Sequence, residues 1–154
     1  MLATHATRAL ADAGVEVLAG DTSWAALQAL GRPVVLMDPL CPLTPATFVA
    51  QLVAAAGTAV LVGVRPVTDT IKQMDDDWVG ATLDRDALAT VTSPIVIPPV
   101  LVERLAEPRL DDFAALVAAL RAQVDVRLVE APSIGRRVED DAAVRVLEAI
   151  AELG

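Results

Sequence analysis

The residues best able to do chemistry are concentrated between Pro66 and Arg85. Hydroxyl, carboxylate and basic side chains are dense in this stretch: Thr68, Asp69, Thr70, Lys72, Thr82, Asp84 and Arg85. A threonine hydroxyl, an ammonium and a guanidinium can together hold a phosphate through charge-assisted hydrogen bonds. Thr70, Lys72, the only lysine of the chain, and Arg85 are therefore candidate ligands of a small anion.

A hairpin must position these side chains. Two short β-like runs surround the acidic triplet Asp75–Asp77, and three adjacent like charges are expected in a solvated turn. The pattern predicts a β-arm at about residues 66–85. A second interpretation stays open, in which Lys72 and Arg85 only balance nearby carboxylates on an exposed hairpin. The residue pattern alone favours that second interpretation.

The rest of the chain alternates apolar strand-like and helix-like segments. Helices are predicted at about 4–13, 22–30, 45–56, 98–105, 112–121 and 139–152, and strands at about 15–18, 34–37, 58–64, 91–97 and 124–129. Thr44 is predicted as the N-cap of the third helix, with Pro45 at its first position. The alternation predicts a single α/β domain over residues 1–154, with a mostly parallel, doubly wound, Rossmann-like sheet and a protruding β-arm.

One carboxylate follows a buried strand directly. Val34–Met37 is a continuous apolar run, as expected of a strand covered on both faces, and Asp38 comes next. Open α/β sheets bind ligands at the carboxyl ends of their strands, so Asp38 is a candidate site residue. It could equally cap a turn.

Charge and composition exclude several classes of partner. A net charge of −9 argues against nucleic acid, because phosphate backbones require clustered basic residues. No apolar run is long enough to cross a membrane, and the N-terminus lacks a signal-peptide pattern. A single cysteine, Cys41, excludes an intrachain disulfide and makes the cytoplasm the expected compartment.

The strings Pro66-Val67-Thr68-Asp69-Thr70-Ile71-Lys72, Thr82-Leu83-Asp84-Arg85 and Thr92-Ser93-Pro94 resemble the 2-C-methyl-D-erythritol 4-phosphate cytidylyltransferases of the non-mevalonate isoprenoid pathway. That family reads approximately P-V-x-D-T-I-K, T-x-x-R and Q-T-P-Q. The resemblance implies a nucleotidyltransferase-type fold. It is strongest from about Arg32 to Pro94.

The resemblance also implies roles for particular residues. Asp38 matches an aspartate that helps bind the metal-nucleotide, so Mg²⁺ is implied if the chain is an active nucleotidyltransferase. The arm of the family exchanges across a two-fold dimer, and its Thr and Arg, here Thr70 and Arg85, hold the methylerythritol phosphate in the neighbouring site. Lys72 belongs to the same arm string. Ser93 retains a hydroxyl in the Q-T-P-Q string, and Arg136 stands beside the position of a late phosphate-binding lysine.

Several family positions differ in this sequence. The Gly-rich loop that cradles the CTP phosphates has no counterpart, and the sequence is expected to begin after the family's second strand. The arginine of D-A-A-R-P is replaced by Cys41, both glutamines of Q-T-P-Q are lost, and the late lysine is replaced by Gly135. Arg136 directly follows Gly135, but arginine and lysine are not interchangeable at a phosphate-binding site.

These losses favour a non-catalytic homologue that associates through residues 66–85, as a homodimer or with a full-length cytidylyltransferase. The alternative is an active nucleotidyltransferase that uses CTP and methylerythritol phosphate or a related sugar phosphate. A start codon assigned too late, which would hide a normal N-terminus, is a third interpretation. No cofactor is expected except Mg²⁺ in that alternative. We further expect the strand at 15–18 to pair with that at 34–37 by a short crossover, giving about five parallel strands.

Overall fold

The computed structural model describes residues 2–67, 72–75, 78–82, 89–138 and 141–152. Its helices are α1 (Leu2–Asp12), α2 (Trp24–Ala29), α3 (Ala46–Ala55), α4 (Pro99–Val102), α5 (Phe113–Arg121) and α6 (Asp141–Glu152), with a short 3-10 turn at Ser133–Gly135. Its strands are β1 (Val34–Leu36), β2 (Val60–Pro66), β3 (Lys72–Asp75), β4 (Trp78–Thr82), β5 (Ala89–Ile97) and β6 (Val126–Glu130). Each helix and strand overlaps a segment that the sequence predicted. Residues 15–18, which were predicted as a strand, belong to no helix or strand.

The main sheet has the strand order β1-β5-β2-β6. β2 pairs with β6 in parallel, and β5 pairs antiparallel with both β1 and β2. Three of the four strands therefore run in one direction and β5 runs in the other. The predicted α/β fold is confirmed, with one reversed strand inside the sheet.

Helices cover both faces of this sheet, as predicted for a doubly wound fold. Val60 and Val62 face a core completed by α2, α4 and α5, whereas the intervening Leu61 packs with Phe48 and Leu52 of α3. The period of two along β2 sends alternate side chains to opposite faces, and both faces are apolar. This is why the strand reads as a continuous apolar run.

The reversal of β5 corrects the expectation of about five parallel strands. A parallel partner for β2 requires a crossover connection, usually a helix of a dozen or more residues. The chain instead leaves β2 at Pro66 and returns beside it at Ala89, since these two residues are paired across the strands. The arm between them thus takes the place of a crossover helix.

The prediction of a strand at residues 15–18 is wrong. Residues 15–18 form no strand and pair with no described strand, and the expected crossover to Val34–Met37 is therefore absent from the described residues. Val17 and Leu18 remain 43% and 38% exposed. Alternating apolar residues favour an extended conformation, but a strand also requires a hydrogen-bonded partner.

Local hydrogen bonds and one glycine define three helix ends. Ser23 caps α2 and Asp112 caps α5, each accepting a backbone N–H, and Gly14 follows α1 with a φ of 75°. Thr44 is not the N-cap of α3. Pro45 is the N-cap, because the Thr44 hydroxyl instead donates to the Cys41 carbonyl oxygen at 2.9 Å and closes a buried turn.

The backbone of the predicted arm forms a β-hairpin. β3 and β4 pair antiparallel, with Lys72 opposite Thr82 and Asp75 opposite Trp78. They form a two-stranded sheet that is separate from the main sheet within the described residues.

Candidate functional site

The candidate site lies where β1 ends and the chain segment 131–138 crosses beside it. Val138 donates its backbone N–H to the Leu40 carbonyl oxygen at 2.7 Å, which fixes this segment against the loop after β1. On the other side, Ser93 of β5 lies fully buried beside the same loop. The sequence thus brings three distant segments to the carboxyl end of β1, where the sheet was predicted to place a site.

Asp38 is held at both carboxylate oxygens. Its Oδ1 accepts the backbone N–H of Leu40 at 2.8 Å, and its Oδ2 accepts Nε of Arg137 at 3.0 Å. The Asp38 side chain is only 14% exposed. The Arg137 guanidinium therefore balances the charge of the Asp38 carboxylate, and the two hydrogen bonds fix its orientation.

Ser93 is hydrogen-bonded to the backbone of Asp38. Its hydroxyl oxygen accepts the backbone N–H of Asp38 at 2.8 Å, so the predicted hydroxyl is part of the site and does not face solvent. The Ser93 backbone lies close to β2. A Cβ placed on Gly63 would lie 2.6 Å from the Ser93 carbonyl oxygen, a distance that side chains do not adopt, so this approach of the two strands requires glycine.

Cys41 lies beneath the same loop. It is fully buried, and its backbone N–H donates to the Asp38 carbonyl oxygen at 2.9 Å. Burial raises the pKa of the Cys41 thiol to about 11, and the Asp38 carboxylate contributes to the rise, whereas a hydrogen bond with Ser93 and the charge of Arg137 oppose it. The thiol is neutral at physiological pH, so Cys41 is a packing residue and not a nucleophile.

Arg136 and Arg137 have different environments. Arg137, which the sequence did not single out, pairs with Asp38, whereas the predicted Arg136 is exposed and forms no ion pair with any described residue. The pair of adjacent arginines was a visible signal, but only the fold determines which of them reaches Asp38.

Two clefts adjoin this site, and Arg137 and Thr90 line both. The larger has a volume of about 830 Å³ and runs between the loop Met37–Leu40 and the start of α5. The smaller has a volume of about 310 Å³ and lies between the ends of β2 and β5 and the segment 133–137. Arg65 and Thr92, which sequence reasoning also missed, line the smaller cleft together with Arg136.

The other predicted ligands are not placed by the structure. Thr70 and Arg85 lie outside the described residues, and for Lys72 only the backbone position on β3 is described. The predicted phosphate site of the arm therefore stays a prediction.

The residues around Asp38 do not fit a magnesium site. Magnesium in nucleotide sites is held by one or two free carboxylates together with substrate phosphates and water. Asp38 has both oxygens engaged, while Asp111 and Asp112 of the same cleft pair with Arg109 and cap α5, respectively. Among the described residues, no group of three or more His, Cys, Asp or Glu side chains is arranged to hold a metal ion.

The doubly wound sheet with one reversed strand and a site at the end of β1 defines a nucleotidyltransferase-type α/β protein. The sequence profile of 2-C-methyl-D-erythritol 4-phosphate cytidylyltransferase matches residues 4–139, and the chain belongs to that family.

Known relatives support this assignment. The bifunctional enzyme IspD/IspF of Solidesulfovibrio magneticus is 41% identical over 71 residues, which are 45% of this chain and 18% of that protein. The chain thus matches less than a fifth of the length of this curated relative.

Solved structures share the fold. The 2-C-methyl-D-erythritol 4-phosphate cytidylyltransferase of Thermus thermophilus superposes with a TM-score of 0.60 at 25% identity, covering 90% of this chain and 73% of that one. The 4-diphosphocytidyl-2C-methyl-D-erythritol synthase of Anaerococcus prevotii gives a TM-score of 0.63 at 16% identity, with 90% and 68% covered. The bifunctional IspDF of Campylobacter jejuni gives 0.62 at 16% identity, with 94% and 45% covered.

Proposed function

We propose that the protein is a non-catalytic homologue of the 2-C-methyl-D-erythritol 4-phosphate cytidylyltransferases that acts by association, with itself or with a full-length enzyme of the family. The observation that carries the proposal is the state of Asp38. The carboxylate that the resemblance assigns to the metal-nucleotide is held by Arg137 Nε and by the Leu40 N–H. A carboxylate committed to an internal ion pair is not a free metal ligand.

Replacements inside the chain support the same conclusion. Where the family has an arginine, Cys41 is fully buried and neutral. Where it has the late lysine, Gly135 is buried, and a Cβ placed there would lie 3.6 Å from Cα of Thr44. Nucleotidyl transfer depends on positioned positive charge around the phosphates. Losing one such group commonly costs about a hundredfold or more in rate.

The arm supports the associative part of the proposal. β3 and β4 form a hairpin that does not extend the main sheet within the described residues. A two-stranded hairpin is at best marginally stable in water by itself, and its open edges favour pairing with another chain. By the resemblance, association would carry Thr70 and Arg85 into the site of the partner, which is where they hold a sugar phosphate in the family.

A cytoplasmic location belongs to the proposal, since an isoprenoid-pathway partner and a single buried thiol both agree with it. Among the described residues, no helix combines the length and the apolarity that a membrane span requires. The net charge of −9 leaves nucleic acid out of the proposed partners.

A direct assay tests the catalytic part. The purified protein is incubated with CTP, methylerythritol phosphate and Mg²⁺, and release of pyrophosphate is measured beside an active member of the family. We expect no turnover above the buffer blank. Turnover that Asp38→Asn abolishes would overturn the proposal and establish the alternative, an active nucleotidyltransferase.

Co-purification tests the associative part. The protein is isolated from its native cells with a tag, and the bound proteins are identified. We expect either a homodimer or a complex with a full-length cytidylyltransferase. A monomer that binds neither itself nor that enzyme contradicts the associative part, whatever the assay shows.

A further inference from the structure

A groove runs along α5, away from the Asp38 site. One wall is the segment 105–112, and the other is the stretch 115–123. Ala115, Ala119 and Gln123 follow one another along that second wall at a spacing of four residues, so the groove is about 12 Å long at the rise of a helix. Its volume is about 480 Å³, within the range of roughly 300–1,000 Å³ for small-molecule sites.

The floor of this α5 groove is apolar. Leu105, Leu116 and Leu120 are buried, belong to the main core and line the groove. Ala115 and Ala119 are exposed, and their short side chains leave open the space above the leucines. An aliphatic chain in the groove would therefore exchange water for contact with the leucine floor, which is favourable in proportion to the apolar area covered.

Hydrogen bonds fix both walls of the groove. On one wall, Trp24 of α2 donates Nε1 to the Leu105 carbonyl oxygen at 2.9 Å, and Gln28 donates Nε2 to the same oxygen at 3.3 Å. On the other wall, Gln123 donates Nε2 to the Ala119 carbonyl oxygen at 3.1 Å. The groove is thus formed before any ligand enters, which lowers the entropic cost of binding.

The rim of the groove is acidic. Arg109 is the one basic residue of its lining, and Nε and Nη2 of Arg109 already reach the two Asp111 carboxylate oxygens at 3.3 and 2.7 Å. Asp112 uses Oδ1 to accept the backbone N–H of Ala115 at 3.0 Å. Glu107 forms no ion pair or hydrogen bond with any described residue. The Glu107 carboxylate is therefore available to a cation.

We propose that the α5 groove binds a small amphiphilic amine, with its aliphatic chain on the leucine floor and its ammonium group at the Glu107 carboxylate. The apolar floor and the acidic rim together fit such a molecule better than a neutral or an anionic one. The lining contains no aromatic ring on which a base could stack. A second copy of the chain is a poor occupant, because the protein has 21 acidic and 12 basic residues and the rim is acidic too.

This site goes beyond the proposed function. It uses neither Asp38 nor the residues predicted to hold a phosphate, and it requires no association through the arm. Either result of the transfer assay leaves it standing, and so does either result of the co-purification. The two proposals therefore fail separately.

Calorimetric titration of the full chain with hexylammonium and with hexan-1-ol, at pH 7 and constant ionic strength, tests the site. The two probes share an aliphatic chain and differ in charge. We expect saturable binding of hexylammonium at millimolar concentration or below, about threefold tighter than that of hexanol, which is the size of one exposed ion pair. Glu107→Gln should remove this preference. Glu103→Gln is the matched control and should keep it, since Glu103 is exposed nearby but does not line the groove.

Ala119→Leu tests the location. The larger side chain occupies the middle of the groove, so binding of both probes should weaken about tenfold or more as the ligand loses its apolar contact. Ala118→Leu is the control, because Ala118 is an exposed residue of the same helix outside the groove. In the original protein, hexylammonium should shift the amide signals of Ala115, Ala119 and Gln123.

Four results would each overturn the proposal. The first is the absence of saturable hexylammonium binding, and the second is equal binding by Ala119→Leu and Ala118→Leu. The third is a preference for the amine that persists in Glu107→Gln, which would place the cation elsewhere on the acidic surface. The fourth is self-association in sedimentation that Ala119→Leu abolishes, which would assign the groove to a second copy of the chain.

Discussion

Nε of Arg137 lies 3.0 Å from Oδ2 of Asp38, although the two residues are 99 positions apart. This ion pair connects the loop after β1 with the segment that precedes α6. Half of the Arg137 side chain is exposed, but that of Asp38 is only 14% exposed. Water therefore screens the Arg137 side of the ion pair more than the Asp38 side. The pair connects the loop after β1 to the segment 131–138 at the candidate site.

A double-mutant cycle of Asp38→Asn and Arg137→Gln should measure a coupling of about 1 kcal/mol, between the values for exposed and for fully buried pairs. The measurement is urea denaturation of the four proteins. The pair Arg109–Asp111 serves as a control, because its side chains are 87% and 63% exposed, and it should show no measurable coupling. Equal coupling in both pairs would mean that Asp38 gains nothing from its partly buried position.

Gly63→Ala should destabilise the protein by about 2–3 kcal/mol, since the new Cβ would lie 2.6 Å from the Ser93 carbonyl oxygen and force β2 and β5 apart. Gly57→Ala is the matched control. A Cβ at Gly57 meets nothing within 4 Å, and the change should stay within about 0.5 kcal/mol. Thermal unfolding of both variants checks this, and an unaffected Gly63→Ala would show that the two strands are not held at this distance.

Stability should fall as the pH rises from 9 toward 11. The folded state raises the pKa of Cys41 from 9.0 to about 11, so the folded protein keeps a proton that the unfolded chain has lost. The stabilisation is complete below pH 9 and disappears as the pH passes the folded value, a change of roughly 2–3 kcal/mol. The sequence contains no tyrosine and one lysine, so few other groups titrate in this window.

Urea denaturation across that range, with thiolate absorbance as a second signal, measures the effect. Cys41→Ala should lower the baseline stability and remove the pH-dependent slope above pH 9. A slope that persists in Cys41→Ala would assign the alkaline loss to another group.

Replacing residues 68–88 by a short Gly-Ser linker should convert a dimer into a monomer or an aggregate. The linker is feasible because Pro66 and Ala89 are paired neighbours across β2 and β5. Sedimentation velocity gives the oligomeric state, and circular dichroism verifies that the main sheet survives. If the original protein is already a stable monomer at high micromolar concentration, the arm is not an association element.

Local patterns in the sequence predicted most of the elements. The strands predicted at 34–37 and 58–64 correspond to β1 (Val34–Leu36) and β2 (Val60–Pro66), and the helices predicted at 22–30 and 112–121 correspond to α2 and α5. Asp38 could be located because the end of a buried strand is a position that the sequence shows directly. The family followed from strings of residues that lie close together in the chain.

Only the tertiary structure decided the direction of β5, the loss of a strand at 15–18 and the pairing of Asp38 with Arg137. Each depends on contacts between segments far apart in the chain. A period of 2 or 3.6 residues records which side of an element is apolar, but it does not record which element will cover that side. Arg136 and Arg137 are the same residue type in adjacent positions. Their roles differ because packing of the segment 131–138 against the loop after β1 brings Arg137 to Asp38 and leaves Arg136 without an ion pair to any described residue.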